Sequence, residues 1–186
     1  MRRFLVVVLL LTACSHPKGP AKPMTDCRAA IDAFASADPA KLRALPGTCT
    51  LDDVKGALTS LDASSNGMLG KRDHGIEIHY FSSPKLKQIR AWLDPNGIVV
   101  LLDTEWPPGA DADYLVTLGE PEARLDYMWR GSSHDKAERV WPARGAVVVT
   151  MSGVKGVHRV GVFAPTTLAD YVANLRYVDI ETDDEG

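Results

Sequence analysis

Gly75–Leu102 reads GIEIHYFSSPKLKQIRAWLDPNGIVVLL, and the spacing of its apolar residues decides the class of fold. Ile76 and Ile78 alternate with Glu77 and His79, the two-residue period of a strand buried on one side. Leu86 to Leu93 continues as a second strand. Asp94-Pro95-Asn96-Gly97 has the chemistry of a tight turn, and Ile98-Val99-Val100-Leu101-Leu102 is an unbroken apolar run of strand length. Three consecutive antiparallel strands are the expectation.

Upstream the period is helical. Thr25 or Asp26 can cap a first helix that carries Ala30, Ile31, Phe34 and Ala35 on one face. Asp38-Pro39 supplies the cap and first-turn proline of a second short helix, stopped by Pro46-Gly47. Thr50-Leu51-Asp52-Asp53 starts a third, with Leu51, Val54, Leu58 and Leu61 three and four apart. Its paired acids suit the positive end of a helix better than acid–base chemistry.

Pro107-Pro108-Gly109 then breaks the chain, and the second half echoes the first. Leu69-Gly70 and Leu118-Gly119, Tyr80 and Trp129, Arg90 and Arg139, and Trp92 and Trp141 all stand 49 residues apart. Gly97-Ile98-Val99-Val100 matches Gly145-Ala146-Val147-Val148 at an offset one residue shorter. These shared offsets predict an internal duplication. Its second copy has a helix at Tyr114–Leu118, with Asp111 and Asp113 at its start, and strands at Arg124–Trp129, Arg139–Pro142 and Ala146–Met151. A turn at Ser152–Gly156 leads to a strand at Val157–Phe163. Thr166 or Thr167 caps a last helix bearing Leu168, Tyr171, Val172 and Leu175. The expected fold is α+β: short helices packed on an antiparallel sheet, as a tandem repeat of a helix-plus-three-strand unit.

The N-terminus carries a different signal. Met1-Arg2-Arg3, the apolar run Phe4–Leu11 and Leu11-Thr12-Ala13-Cys14 are the charged, apolar and small-residue regions of an export signal. The apolar run is eight residues, short of the roughly 20 that a helix needs to span a bilayer. Leu11-Thr12-Ala13-Cys14 resembles the lipobox of bacterial lipoproteins. That resemblance implies acylation of Cys14 and cleavage before it, which anchors the chain to a membrane without spanning it. Ser15, where aspartate is the usual inner-membrane retention signal, implies the outer membrane. Pro17, Pro20 and Pro23 recur every third residue, the composition of an extended stem of roughly 25 to 35 Å. The chain divides into a signal (1–13), an anchor and proline-rich linker (14–25), a helical segment with the first α/β unit (26–106), a second unit with a C-terminal helix (107–178) and an acidic tail (179–186).

With Cys14 consumed, two of the 3 cysteines remain. In an oxidising compartment Cys27 and Cys49 are expected to form a disulfide, whose loop of about 23 residues is worth roughly 3 kcal/mol of unfolded-state entropy. A metal site would need further ligands at short spacing, and none surrounds either residue. The net charge is −3, and about −5 once Arg2 and Arg3 leave with the signal, which is no footprint for nucleic acid. Hydrophobic residues make up 45% of the chain, enough for a packed core.

The second half also carries Leu118-Gly119-x-Pro121 ahead of Tyr127-x-Trp129 and a hairpin ending at Gly145. This pattern resembles the small α/β lipoproteins of the BamE barrel-assembly type and the repeats of β-lactamase inhibitor proteins. In the first half Arg72 stands where the proline would fall. The resemblance implies a helical layer on an antiparallel sheet and work done by protein contact.

Catalytic signatures are weak. His74, His79, His134 and His158 match no metal-ligand spacing, although His79 shares a strand face with Glu77 and would begin a site if His134 or His158 came near. Gly131-Ser132-Ser133-His134-Asp135 sets Ser, His and Asp side by side, whereas a triad brings them together through the fold, so it reads as a polar hairpin loop. There is no glycine-rich phosphate loop. No catalytic residue, metal or cofactor is assigned. Trp92 and Trp141 have core packing as their default. If they project from the sheet instead, they join Tyr80, Arg90, Tyr127, Trp129 and Arg139 in an aromatic–arginine surface of the kind enriched at interfaces. The sequence therefore predicts a non-catalytic, lipid-anchored envelope protein that binds another envelope protein, ahead of an envelope hydrolase or a structural spacer.

Overall fold

A computed structural model describes residues 26–70, 72–106, 117–127, 136–151 and 156–176, with the side chains of 72–74, 127 and 136 excepted. The signal, Cys14, the stem, Trp129, His134, Asp111, Asp113, the loop at 131–135 and the acidic tail lie outside them.

Among the described residues the order is α1 (Cys27–Ala35), a 3-10 turn (Pro39–Lys41), α2 (Leu51–Ala57), then strands β1 (Thr59–Leu69), β2 (Arg72–Ser82), β3 (Ile89–Leu93), β4 (Val99–Glu105), β5 (Ala123–Tyr127), β6 (Lys136–Trp141), β7 (Ala146–Met151) and β8 (Val157–Phe163). A short helix α3 (Leu168–Asp170) runs into a π-helical turn at Tyr171–Leu175. All eight described strands form one sheet in the order β1-β2-β3-β4-β8-β7-β6-β5, every pair antiparallel. Two meanders thus meet through their last strands, β4 and β8.

Local chemistry explains the helical ends. The Asp26 carboxylate accepts the Arg28 N–H at 2.9 Å, and α1 buries Ala30, Ile31 and Phe34. Asp38 caps the Pro39 turn. Thr50 and Asp53 form a capping box on α2, each side chain taking the other's backbone N–H. Gly56, a poor helix former, precedes the point where α2 ends, and Leu58 is already extended. Leu61 therefore belongs to β1 and is 38% exposed, not on the helix face that its spacing suggested. The Cys27–Cys49 disulfide forms, with a Cα–Cα distance of 5.5 Å, and ties the start of α1 to the start of α2.

The sheet buries both faces. On one, Ile89, Ala91, Leu102, Val148, Val160 and Val162 pack under α1 and α2. On the other, Ile78, Trp92, Leu101, Val140, Val147 and Phe163 pack under Tyr171, with Val172 and Leu175 beside it. The α+β expectation holds in this form, with short helical pieces against both sides. The tandem helix-plus-three-strand unit is not evident. Ile78 stands opposite Trp92, but the residue 49 places on, Tyr127, stands opposite Lys136, five residues from Trp141. β1 has no counterpart in the expected unit either.

β1 was not legible as a strand, because Thr59–Asn66 is exposed throughout and shows no apolar period. It is held at its far end, where Gly67 lies over Ile78 and Trp92. A Cβ there would sit 2.7 Å from both side chains. Overpacking of this kind costs roughly 1–3 kcal/mol. Gly67→Ala is expected to lower the thermal midpoint by several degrees, whereas Ser64→Ala, on the exposed stretch, leaves it within about a degree. Paired calorimetric scans check this.

Candidate functional site

The face beneath the C-terminal segment holds a cluster of charged groups inside the sheet. Asp103, in the middle of β4, is 3% exposed. It accepts hydrogen bonds from Arg90 Nε at 3.1 Å, from Trp92 Nε1, and from Arg159 Nε and Nη2 at 3.1 and 2.5 Å. The Arg90 guanidinium lies 5.0 Å from the centre of the Trp92 ring. Arg159 also approaches Glu105 at 3.8 Å. One buried carboxylate thus serves two guanidiniums and an indole drawn from β3 and β8.

Further along the same face Glu138 of β6 is 5% exposed. It accepts from Tyr171 Oη at 3.4 Å and faces Arg176 Nε at 3.6 Å. Burial pushes its pKa up from 4.5 to about 7, against the opposing pull of the Arg176 charge and of the hydrogen bonds from Tyr171 and Arg176. Burial first, and the Glu138 charge second, push Tyr171 well above its ordinary value. The phenol therefore stays protonated and donates. Arg176 closes the arrangement through its backbone, since Gly70 N–H donates to its carbonyl at 2.9 Å. Gly70 sits at φ +68°, and a Cβ there would meet the Ala173 carbonyl oxygen at 2.2 Å. The C-terminal segment is pinned at both the sheet face and the β1–β2 turn.

The sequence-derived surface comes out differently from its expectation. Tyr80, Arg90 and Trp92 lie on the face covered by Tyr171, and the Tyr127 backbone pairs with Lys136 at the end of β5. Trp141 packs on the opposite face with the α1–α2 core, and Arg139, two residues back, points the same way. Trp92 is 0% exposed and Trp141 4%, so both are core residues. Trp129 is outside the described residues. Trp92 and Trp141 lie on opposite faces of the sheet, so they do not build one open concave surface. The reason is parity: the odd five-residue difference in hairpin register turns Trp141 to the other side of the sheet.

His79 Nε2 lies 3.1 Å from Glu77 Oε2, as their shared face suggested. His158 is on β8, three strand spacings or roughly 14 Å from β2. Among the described residues no three His, Cys, Asp or Glu side chains converge as metal ligands would.

The sequence reading missed Asp103, Glu138, Arg159, Tyr171 and Arg176 as a group. Part of their signal was visible: Asp103, Glu138 and Arg159 are charges within the strand runs VVLLDTE, KAERVW and VHRVGVF, where burial calls for a partner. Two surface clefts accompany them, of about 470 Å³ beside Asp32, Ser36, Leu58, Ser83 and Lys85, and of about 360 Å³ beside Leu42, Arg43, Leu118, Arg144 and Pro165. Neither is lined by Asp103 or Glu138. Asp103 and Glu138 are instead engaged by the described donors around them. Compared with protein-family models, with curated proteins and with solved structures, the chain matches none.

Glu138 makes stability depend on pH with a defined sign. Between about pH 4.5 and 7 the folded state keeps a proton that the unfolded state releases, so this contribution is full below pH 4.5 and is lost as pH rises through about 7. Its size is on the order of 3 kcal/mol. The parent is expected to lose stability relative to Glu138→Gln between pH 5 and pH 8, measured by urea unfolding at each pH. Parallel curves for the two proteins would contradict it.

Proposed function

We propose that this chain is an exported lipoprotein, anchored through acylated Cys14 at the outer membrane of the bacterial envelope, whose folded domain binds another envelope protein and performs no catalysis. The Cys27–Cys49 disulfide carries this reading. Such bonds persist in oxidising compartments, and this one closes directly after a stem that follows Leu11-Thr12-Ala13-Cys14. Contact is favoured over chemistry because the converging polar groups are spent on each other inside the sheet.

The surface best suited to contact is β1. Its eight residues Thr59–Asn66 are exposed, and among the described residues no strand pairs with its outer edge. An extended segment of a partner can add to such an edge through backbone hydrogen bonds, with side-chain pockets giving specificity. Leu61, the large apolar side chain exposed there, would lie at the contact. Tyr80, whose Oη is 3.1 Å from Ser65 Oγ, supports the strand from behind. The common 49-residue offset of Arg90 with Arg139 and Trp92 with Trp141 is consistent with descent from a duplicated helix-plus-three-strand unit whose hairpins have since diverged in length.

Two measurements test this reading. Labelled palmitate is expected in the parent protein and absent from Cys14→Ser, which fractionates without the membrane. A photo-crosslinker at position 61 is expected to trap one defined envelope protein, and one at position 87 to trap none. No adduct from 61, together with turnover of wall or envelope polymers by the pure protein, would favour the hydrolase reading. No adduct and no turnover would leave a spacer.

A further inference from the structure

We infer that the 360 Å³ groove between the Pro39 turn and the start of β7 binds the phosphate-bearing headgroup of an anionic phospholipid. Its charged lining is one-sided. Arg43 and Arg144 face it, and among the described residues no carboxylate lines it, in a chain whose net charge is −3. Leu42, Leu118, Ala146 and Pro165 supply an apolar floor. A planar guanidinium donates two parallel hydrogen bonds to a phosphate, and the apolar floor suits the glycerol and first methylenes of a lipid.

The two arginines are differently held. Arg144 Nη1 donates to the Leu118 carbonyl at 2.9 Å, which fixes its side chain across one wall. Arg43 is exposed, and among the described residues no carboxylate pairs with it. Neighbouring Lys41 already pairs with Asp38 at 3.3 Å. Arg43 is therefore a cation available to a ligand, beside one already set in place. By contrast the larger cleft carries Asp32 and Lys85 together, so its charges select no sign of ligand.

The choice of a lipid over a soluble anion rests on the proposed anchoring. The wall formed by Pro39–Ala44 lies inside the loop closed by Cys27 and Cys49, and the stem enters that loop at Cys27. A tether through Cys14 would deliver this end of the domain to the bilayer surface, where anionic headgroups are concentrated. The groove would then orient the domain, holding the helical layer toward the membrane and leaving β1 open to a partner.

The test uses monomeric dihexanoylphosphatidylglycerol, titrated calorimetrically into the purified chain at low salt. Dihexanoylphosphatidylcholine and inorganic phosphate serve as comparisons. Saturable binding of the anionic lipid is expected, at least tenfold tighter than the zwitterionic one. Arg43→Gln, which removes no internal contact, is expected to weaken it about tenfold, the effect of losing one charge-assisted contact. Arg144→Lys should weaken it while keeping the native melting profile. Equal binding of the two lipids, or an unchanged affinity in Arg43→Gln, overturns the proposal. Inorganic phosphate binding as tightly as the anionic lipid overturns the choice of a lipid. Because the probe is monomeric and soluble, its binding does not depend on Cys14. Failure here and failure of the palmitate label are therefore separate results.

Discussion

Asp103 is the group on which the rest of the sheet depends. It sits on β4, at the seam where the first meander ends against β8 of the second, and its two oxygens take donors from both sides. Arg90 and Trp92 come from its sheet neighbour β3, and Arg159 from its other neighbour β8. A carboxylate this deeply buried is costly to desolvate, so it persists only because every side of it is answered. The same geometry makes it a register lock. Sliding β8 by one residue against β4 would turn Arg159 away from Asp103 to the helical face and bury its charge among apolar side chains without a carboxylate. What binds the two meanders into one sheet is thus a specific ion cluster laid over a broad apolar contact.

The C-terminal segment is the second consequence of that layer. A sheet with charges on its inner face needs a cover that is apolar in the middle and polar at its ends. Tyr171 provides both, its ring 5.1 Å from Phe163 and its hydroxyl on Glu138. Arg176 then meets the carboxyl from outside and the β1–β2 turn through its backbone. The π-helical turn at Tyr171–Leu175 lets one short piece of chain reach all three. Among the described residues, the outer edge of β1 and the groove beside Arg43 stay open to solvent.

Much of the framework was legible in the sequence because it is written locally. The Asp94–Gly97 turn, the Thr50 cap, the apolar face of α1 and the cysteine pair each depend on neighbours a few residues apart, or on elimination. The strands β4, β7 and β8 stood out as apolar runs because the sheet buries both sides. Three things were not written locally. β1 is polar and solvent-facing, so it has no period to read. The facing of Trp92 and Trp141 depends on hairpin register, where one residue reverses every side chain. The Asp103 and Glu138 clusters join residues 11 to 56 positions apart, and only the charges within their strands hinted at partners. The aromatic–arginine surface failed for the second reason, since its members were matched by sequence offset and not by register.

The most direct test of this account is a double-mutant cycle on Asp103→Asn and Arg159→Gln, with stability measured by urea unfolding at pH 7. If Asp103 locks the two meanders together, each single change costs on the order of 3 kcal/mol, and the double variant falls short of their sum by about 2 kcal/mol or more. Additive losses, or a single Asp103→Asn change costing less than about 1 kcal/mol, would contradict it and leave the seam to apolar packing alone.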